Sequence, residues 1–297
     1  MKQQIANYIN LIRLKQWIKN GIIFFPMFFS KQISAEIIFT SIIAFFSFSL
    51  LASSIYIYND IIDVEKDRLH PIKCERPIAK GSIGIFQAKT ISVCLVIIGY
   101  AILILNRQFD LETLLSVSVI YWMYYFLNIF YSIKGKNIPL VDIAILASGF
   151  LLRLFFGAFI TDIKISNWLY MLVLFGAFYL GLGKRRNEFK RISENSKRIG
   201  SRTVLKFYTY SFLDKNMYLC LTLAIMFYAL WCAEYQGKSN LLIFTIPLVL
   251  LIAMKYNMVI ENDDAEGDPV DTILNDKIFL LLSIILIVAL IFILYIF

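Results

Sequence analysis

The sequence contains a single histidine, His70, and four cysteines among 297 residues. The cysteines are Cys74, Cys94, Cys220 and Cys232, and they show neither paired spacing nor neighbouring histidines. We therefore expect free and mostly buried thiols. His70 alone excludes a metal site built from histidines.

Charged residues are also scarce. They make up 17% of the chain, while hydrophobic residues make up 59%. A typical soluble domain has about 25% charged and roughly 45–50% apolar residues. A bilayer can absorb this much apolar surface, so we predict an integral membrane protein. The net charge of +8 then indicates cytoplasmic loops rather than nucleic acid binding. The polar N-terminus predicts no cleavable signal peptide, and the lack of repeats predicts one membrane domain over residues 1–297.

Long apolar runs recur along the chain, and most reach the roughly 20 residues that a helix needs to cross the hydrocarbon core. The sequence therefore predicts an all-α bundle of nine transmembrane helices. The first is short and contains Pro26, which predicts a kink. The predicted spans are 18–31, 36–58, 87–106, 111–131, 138–160, 166–183, 217–235, 239–257 and 278–296.

The distribution of basic residues tests this count of spans. The loops after spans two, four and six hold five, two and ten lysines and arginines, whereas the loops between them hold one each. Basic loops face the cytoplasm in membrane proteins. The alternation therefore predicts a cytoplasmic N-terminus and an external C-terminus.

An acidic segment follows the second span. Asp60, Asp63 and Asp67 are spaced three and four residues apart, so on a helix they share one face within about 60°. Asn59 lies beside them, and Glu65 points away. Three converging carboxylates repel one another unless a cation neutralises them, and hard oxygen ligands favour Mg²⁺, with Mn²⁺ as an alternative. We predict a metal site of Asn59, Asp60, Asp63 and Asp67; a solvated acidic helix end is the alternative.

Basic residues adjoin these acids and two other predicted spans. Lysine and arginine beside a carboxylate–metal site suit a phosphate-rich ligand, although such residues can also serve only as topology signals. The predicted phosphate and substrate contacts are Lys19, Asn20, Lys73, Arg76, Lys184 and Arg185.

A second acidic segment, residues 261–271, has six acids in eleven residues and lies on the predicted cytoplasmic side. It is either a solvated loop or a second wall of the same site, to which Glu261 and Asp268 would contribute. Within the spans, Asp142 and Arg153 are ionisable, and such residues are by default functional or paired.

The motif Asn59-Asp60-x-x-Asp63-x-x-x-Asp67, at the end of the second of nine helices, resembles the first signature of the UbiA superfamily of membrane prenyltransferases. The resemblance implies Mg²⁺-dependent binding of a polyprenyl diphosphate and transfer of its prenyl group to an acceptor. A second DxxxD-type motif is expected after helix six. The residues between Lys184 and Leu213 contain no aspartate, which argues against an ordinary aromatic prenyltransferase.

Four further segments resemble one branch of the family, the decaprenyl-phosphate phosphoribosyltransferases. This branch uses phosphoribosyl diphosphate as donor and a polyprenyl phosphate as acceptor. The acidic loop differs from the pattern of the branch, Gly-Glu-Pro-Glu-Asp, because Asp268 and Val270 replace the two glutamates. The resembling segments are residues 16–20, 70–78, 148–153 together with 183–185, and 266–271.

The resemblance implies a cytoplasm-facing active site in a bacterial-type inner membrane. There Asp60, Asp63 and Asp67 would hold Mg²⁺ on the donor diphosphate, and C1 of the ribose would react through an oxocarbenium-like state. The product would feed the synthesis of cell-envelope sugar donors; a homo-oligomer is left open. Two alternatives compete: a UbiA-type prenyltransferase with an aromatic or other acceptor, and a non-enzymatic transporter or scaffold.

Overall fold

The computed structural model describes residues 2–106, 109–194, 203–235, 240–261 and 276–296, and these ranges contain helices and no β-strand. The α-helices are α1 Lys2–Ile12, α2 Phe25–Ser30, α3 Ala35–Ile62, α4 Val64–Arg68, α5 Ile85–Ile104, α6 Leu111–Ile133, α7 Val141–Thr161, α8 Asn167–Glu194, α9 Tyr210–Glu234, α10 Ile246–Glu261 and α11 Lys277–Ile291. The 3₁₀ helices are Leu14–Phe24, Lys73–Glu75, Gly135–Asn137, Thr203–Phe207 and Asn240–Thr245. A π-helical turn, Phe292–Ile296, extends α11.

Seven helices in the described ranges are long and apolar enough to cross a membrane. They match seven of the nine predicted spans and confirm an integral membrane protein. The predicted span 166–183 lies in α8, which continues into a charged stretch. The seven are Ala35–Ile62, Ile85–Ile104, Leu111–Ile133, Val141–Thr161, Tyr210–Glu234, Leu241–Glu261 and Lys277–Ile296.

The predicted span 18–31 consists of two helix types. The 3₁₀ helix Leu14–Phe24 changes into the short α2, and Pro26 lies in the first turn of α2. A proline there costs little, because the first N–H groups of a helix have no partner within the helix. The irregularity expected at Pro26 is therefore a change of helix type.

The chain divides into two compact units, of which the first comprises residues 1–145, 152–164 and 197–204. Its core packs α3 against α5 and α6, around Phe48, Tyr121 and Phe156. The helices α3 and α5 approach closely at Gly99, whose carbonyl oxygen accepts a hydrogen bond of 2.8 Å from the Ser47 hydroxyl. Close packing of small and hydroxyl residues is how helices associate in lipid.

The second unit comprises residues 146–151, 165–196 and 205–297. In it α8 packs along α9 and α10 packs against α11. The rings of Phe175 and Phe227 stack with their centroids 5.5 Å apart. Asp276 caps the start of α11 and pairs with Lys255 of α10 at 2.8 Å, which fixes where α11 begins.

Candidate functional site

The acidic segment of the first unit lies where α3 ends. The helix stops at Ile62, and Asp63 has φ −92° and ψ 7° before the short α4 begins. The predicted stripe of three aspartates on one continuous helix is therefore interrupted at Asp63. Asp60 and Asp67 turn toward the same partner, and Asp63 turns toward a different one.

Asp60 and Asp67 share the guanidinium of Arg76. Asp60 is 3% exposed and Asp67 is 4% exposed. The Nη1 of Arg76 donates to Asp60 Oδ1 at 2.9 Å and to Asp67 Oδ2 at 2.6 Å. One nitrogen thus lies between two buried carboxylates. The sequence predicted a metal ion at these acids and Arg76 at the phosphates of the ligand, and both stay predictions. A hydrogen-bonded charge pair of this kind compensates much of the cost of burying the carboxylates.

Arg13 is a site residue that sequence reasoning did not list. It precedes the 3₁₀ helix Leu14–Phe24 in a left-handed conformation, with φ 56°. Its Nη2 donates to Asp60 Oδ1 at 2.5 Å, and its guanidinium lies 5.3 Å from the centre of the Tyr56 ring. Burial lowers the pKa of Arg13, but the charge and hydrogen bond of Asp60, with smaller contributions from Tyr56 and Asp67, raise it, and the net shift is upward.

Asp63 pairs with Lys136, which the sequence marked only as a topology signal. Lys136 is 6% exposed and lies in the 3₁₀ helix Gly135–Asn137. Its Nζ is 2.6 Å from Asp63 Oδ1. The signal that could have found Lys136 is weak, because contact across 73 residues depends on the tertiary fold.

The acid pair fits a divalent cation. Burial raises the pKa of Asp67, and the charge of Arg76 opposes this shift; a metal ion would favour the charged carboxylate in the same way. Asp60 and Asp67 offer hard oxygen ligands that already converge on one positive nitrogen. In the described residues no three acidic, histidine or cysteine side chains gather as a metal site. Mg²⁺ needs one or two carboxylates when phosphates supply the other ligands.

The loop after α4 carries the predicted phosphate contacts Lys73 and Arg76. His70 folds this loop, because its Nδ1 accepts from the backbone N–H groups of Ile72 at 3.2 Å and Lys73 at 3.3 Å. The charge of Lys73 acts on Asp67 by lowering its pKa, so the structure brings Lys73 near the acid pair. Asn59 is half-buried at the end of α3.

The predicted contacts Lys19 and Asn20 lie on the 3₁₀ helix Leu14–Phe24. Lys19 is half-buried, and Asn20 is fully buried. Asn20 donates to Ser49 Oγ at 2.8 Å and accepts from Arg153 Nε at 2.6 Å. Arg153, flagged from the sequence as an intramembrane charge, is therefore paired with polar groups. Direct binding of substrate by Asn20 stays a prediction.

The second unit holds its own cluster of charges. Arg186 lies 2.6 Å from Asp214 and 3.2 Å from Glu261, measured between nitrogen and oxygen. Arg185 is fully buried and pairs with Glu188 at 2.7 Å. Sequence reasoning missed Asp214, which stands alone in sequence. Roles for Lys184, Arg185 and Glu261 in substrate binding stay predictions, and Asp268 lies outside the described residues.

These features define a class: an integral membrane protein of many helices, with buried carboxylates held by arginines at the end of one apolar helix. The family model "UbiA prenyltransferase family" matches residues 22–275. The chain belongs to the UbiA prenyltransferase family.

The chain is also similar to individual proteins, among them two relatives and one solved structure. It is 29% identical over 287 residues to a decaprenyl-phosphate phosphoribosyltransferase of Mycobacterium tuberculosis, covering 94% of this chain and 91% of the relative. The protein of the same name from Corynebacterium glutamicum is also 29% identical, covering 93% and 83%. A UbiA homolog from Archaeoglobus fulgidus bound to GPP and Mg²⁺ has a TM-score of 0.67 at 16% identity and 96% coverage of both chains. That likeness shows a shared fold.

Proposed function

We propose that this protein transfers the 5-phosphoribosyl group from phosphoribosyl diphosphate to a polyprenyl phosphate and releases diphosphate, with Mg²⁺ as cofactor. Relatives with this activity in their names align with nearly the whole chain. The structural observation that carries the proposal is the convergence of the buried acids Asp60 and Asp67 on one nitrogen of Arg76. A site of acids and arginines suits a ligand that combines a metal ion with a diphosphate.

The chain's own residues then have defined tasks. Asp60 and Asp67 would hold Mg²⁺. Asn59 stays a predicted ligand, and Asp63 would join the ion only by leaving Lys136. When bound, Mg²⁺ neutralises the negative charge that develops on the departing diphosphate. Arg76 has hydrogen-bond donors that can bind phosphate oxygens once a metal ion satisfies the acids. We assign Lys19, Lys73 and Arg13 to the outer phosphate oxygens; Arg13 is added because it contacts Asp60.

The reaction breaks the bond between C1 of the ribose and the diphosphate oxygen, and it forms a bond from C1 to an oxygen of the acceptor phosphate. The acceptor is already an anion at neutral pH, so the transfer needs no strong general base. Positioning of the two substrates and stabilisation of charge then supply most of the catalysis.

The proposal includes an orientation. We propose nine membrane spans, including 18–31 and 166–183, with the N-terminus and the acid pair on the cytoplasmic side of a bacterial inner membrane. The donor is soluble and cytosolic, which fits that side. The excess of basic residues in the loops after spans two, four and six supports the same orientation.

A second candidate is a UbiA-type prenyltransferase, which would move a polyprenyl group from its diphosphate to another acceptor. The likeness to the Archaeoglobus fulgidus homolog bound to GPP and Mg²⁺ favours it. The two candidates differ in which substrate carries the diphosphate: a soluble sugar or a lipid.

The test uses purified protein in detergent with Mg²⁺, radiolabelled phosphoribosyl diphosphate and polyprenyl monophosphates of several chain lengths. We expect label to enter the organic phase and EDTA to abolish this transfer. Asp60→Asn and Asp67→Asn should each lower the rate about 100-fold or more, as loss of electrostatic stabilisation does elsewhere. Glu65→Gln is the matched control, because Glu65 lies in the same acidic segment with its side chain 79% exposed.

Full activity in the double variant Asp60→Asn with Asp63→Asn, with unchanged Mg²⁺ dependence, would sink the proposed role of the acids. If label does not transfer to any lipid length, the same preparation is tested with labelled polyprenyl diphosphate and a panel of acceptors. Transfer there would favour the prenyltransferase.

A further inference from the structure

The 3₁₀ helix Leu14–Phe24 contacts α7 backbone to backbone. A Cβ atom at Gly157 would overlap the carbonyl oxygen of Ile23 and would lie 2.9 Å from its carbonyl carbon. A side chain of any size at position 157 would therefore displace the 3₁₀ helix. This contact fixes how close the 3₁₀ helix lies to α7.

One turn before Gly157, on the same face of α7, Arg153 fixes where along α7 the 3₁₀ helix lies. Arg153 is 4% exposed. Its Nε donates to Asn20 Oδ1 at 2.6 Å, and its Nη2 donates to the Tyr124 hydroxyl at 2.8 Å. Its guanidinium also lies 5.3 Å and 5.0 Å from the ring centres of Phe48 and Tyr124. Burying a charge in a membrane-spanning helix is costly, so this arrangement calls for a role that an apolar residue would not fill.

A second set of contacts ties the 3₁₀ helix to α3. Asn20 Nδ2 donates to Ser49 Oγ at 2.8 Å, and Trp17 Nε1 donates to Ser53 Oγ at 2.9 Å. Residues 17, 20 and 23 are three apart, and side chains at that spacing eclipse on a 3₁₀ helix. One face of the 3₁₀ helix is thus bonded to two membrane-spanning helices at once, with Asn20 joining both.

The opposite end of this segment reaches the acid pair. Arg13 precedes the 3₁₀ helix and bonds to Asp60. Asn20 is seven positions after Arg13. At about 2.0 Å per residue, Asn20 therefore lies about 14 Å along the segment from Arg13. A slip at Asn20 would also move Arg13, because an unbroken 3₁₀ helix begins at Leu14 and runs past Asn20 to Phe24.

We propose that Arg153 is a positioning residue for diphosphate binding. It acts through Asn20 to hold the 3₁₀ helix in register, so that Arg13 is presented at Asp60 where the diphosphate binds. The inference rests on the proposed function for the diphosphate site. It assigns no substrate contact to Arg153 itself, which lies inside the helical core.

The test is a double-mutant cycle on the binding of inorganic diphosphate with Mg²⁺, measured by calorimetry on the full chain in detergent. Diphosphate is the product of both candidate reactions, so its binding reports on the site whichever reaction the protein catalyses. The variants are Arg13→Gln, Arg153→Met and the double variant. Residues this far apart with no shared partner normally give additive effects.

We expect each single variant to weaken diphosphate binding about tenfold and the double variant to bind no more weakly than Arg13→Gln alone. Arg153→Lys, which keeps the charge, should recover part of the affinity. If the double variant loses about a hundredfold, Arg153 does not act through Arg13 and the inference is overturned. Wild-type affinity in Arg153→Met would also overturn it.

One outcome separates a failure of the proposed function from a failure of this inference. If diphosphate binding shows the expected coupling but phosphoribosyl transfer is not seen, the proposed donor is wrong and the positioning role of Arg153 is supported. Should Arg153→Met fail to fold, Arg153→Lys carries the cycle, with melting temperature and monodispersity as checks. Additive losses in the cycle with Arg153→Lys would overturn the inference in the same way.

Discussion

Asp60 and Asp67 are buried carboxylates that share one guanidinium nitrogen of Arg76. In this state Arg76 supplies the positive charge that Mg²⁺ would supply, under the proposed function, when a diphosphate binds. Arg76 and Mg²⁺ would therefore compete for the carboxylates of Asp60 and Asp67. Two substitutions separate these contributions.

Arg76→Met removes the shared cation. We expect the protein without metal to lose about 3 kcal/mol of stability, since a buried charge without its partner is costly. Mg²⁺ should restore more of the melting temperature in this variant than in the wild type, because the ion no longer competes with Arg76. Thermal unfolding with EDTA and with increasing Mg²⁺ measures both effects.

Arg68→Met is the matched control, because Arg68 lies in the same segment, is half exposed and pairs with Glu65 at 2.9 Å. A response to Mg²⁺ in Arg76→Met that equals the wild-type response would contradict the competition.

Asp67→Asn should stabilise the protein in EDTA at neutral pH. Burial raises the pKa of Asp67 above its ordinary value of 3.8. A raised pKa means that Asp67 contributes stability fully below pH 3.8, and this contribution is lost as the pH rises through the raised pKa. The ionised carboxylate is therefore a cost at neutral pH, and asparagine removes it.

The gain should shrink as the pH falls through the pKa of Asp67, because the wild-type side chain then also becomes neutral. Melting temperatures across a pH series in EDTA measure this, with Glu65→Gln as the exposed control. A variant less stable than the wild type at pH 7 would disprove the assignment of the burial cost to Asp67.

Which single residues the sequence could identify follows from how local their signals are. The spacing of Asp60, Asp63 and Asp67 is local, and it marked the segment in which Asp60 and Asp67 are buried and share Arg76. The partners Arg13 and Lys136 come from segments 47 and 73 residues away, and a basic residue near a membrane surface is too common to single out. The turn of Asp63 away from its neighbours depends on Lys136, so the continuous acidic stripe was the natural but incomplete expectation.

Among the helices, the least regular one matters most for the site. The helix α3 could be predicted from its apolar length, and its extension to Ile62 places Asp60 in the last turn of the helix. The 3₁₀ form of Leu14–Phe24 could not be predicted, because its shape depends on contacts with Ser49, Ser53 and Gly157. Tertiary contacts override local preference in such a short segment.

Two glycine substitutions test the contact between α7 and this 3₁₀ helix. Gly157→Ala should lower stability by about 1–3 kcal/mol, the usual cost of overpacking, because its Cβ would meet the Ile23 carbonyl. Gly176→Ala in α8 has nothing within 4 Å of the added Cβ, and alanine there should be neutral or stabilising by up to about 1 kcal/mol.

Thermal unfolding of both variants in the same detergent gives the comparison. Equal effects at positions 157 and 176 would show that the close approach of Gly157 to Ile23 does not constrain the position of the 3₁₀ helix.

For the whole molecule, the distribution of basic residues sets the expected orientation. The seven confirmed helices fit the predicted spans, and hydropathy could find them because lipid requires long apolar runs. The two remaining spans are a 3₁₀–α segment and the first part of α8, where apolar length alone is a weaker guide. Orientation therefore needs its own measurement.

Cysteine labelling tests the orientation. In a background with Cys94, Cys220 and Cys232 replaced, Cys74 in the loop after α4 should react with a membrane-impermeant thiol reagent in inside-out vesicles and not in right-side-out ones. Asp110→Cys, placed at the start of α6 in a background that also lacks Cys74, should show the opposite pattern. Reaction of both positions from the same side would contradict the proposed topology.

The proposed function depends on which substrate carries the diphosphate, and a competition between the two candidate donors tests this. Purified protein with Mg²⁺ receives equal amounts of ribose-labelled phosphoribosyl diphosphate and polyprenyl diphosphate, together with a polyprenyl monophosphate and the panel of prenyl acceptors. We predict that ribose label enters the organic phase, that EDTA stops this transfer, and that Glu65→Gln retains it while Asp60→Asn lowers it about 100-fold or more. If polyprenyl diphosphate is consumed while the organic phase stays free of ribose label, phosphoribosyl diphosphate is not the donor.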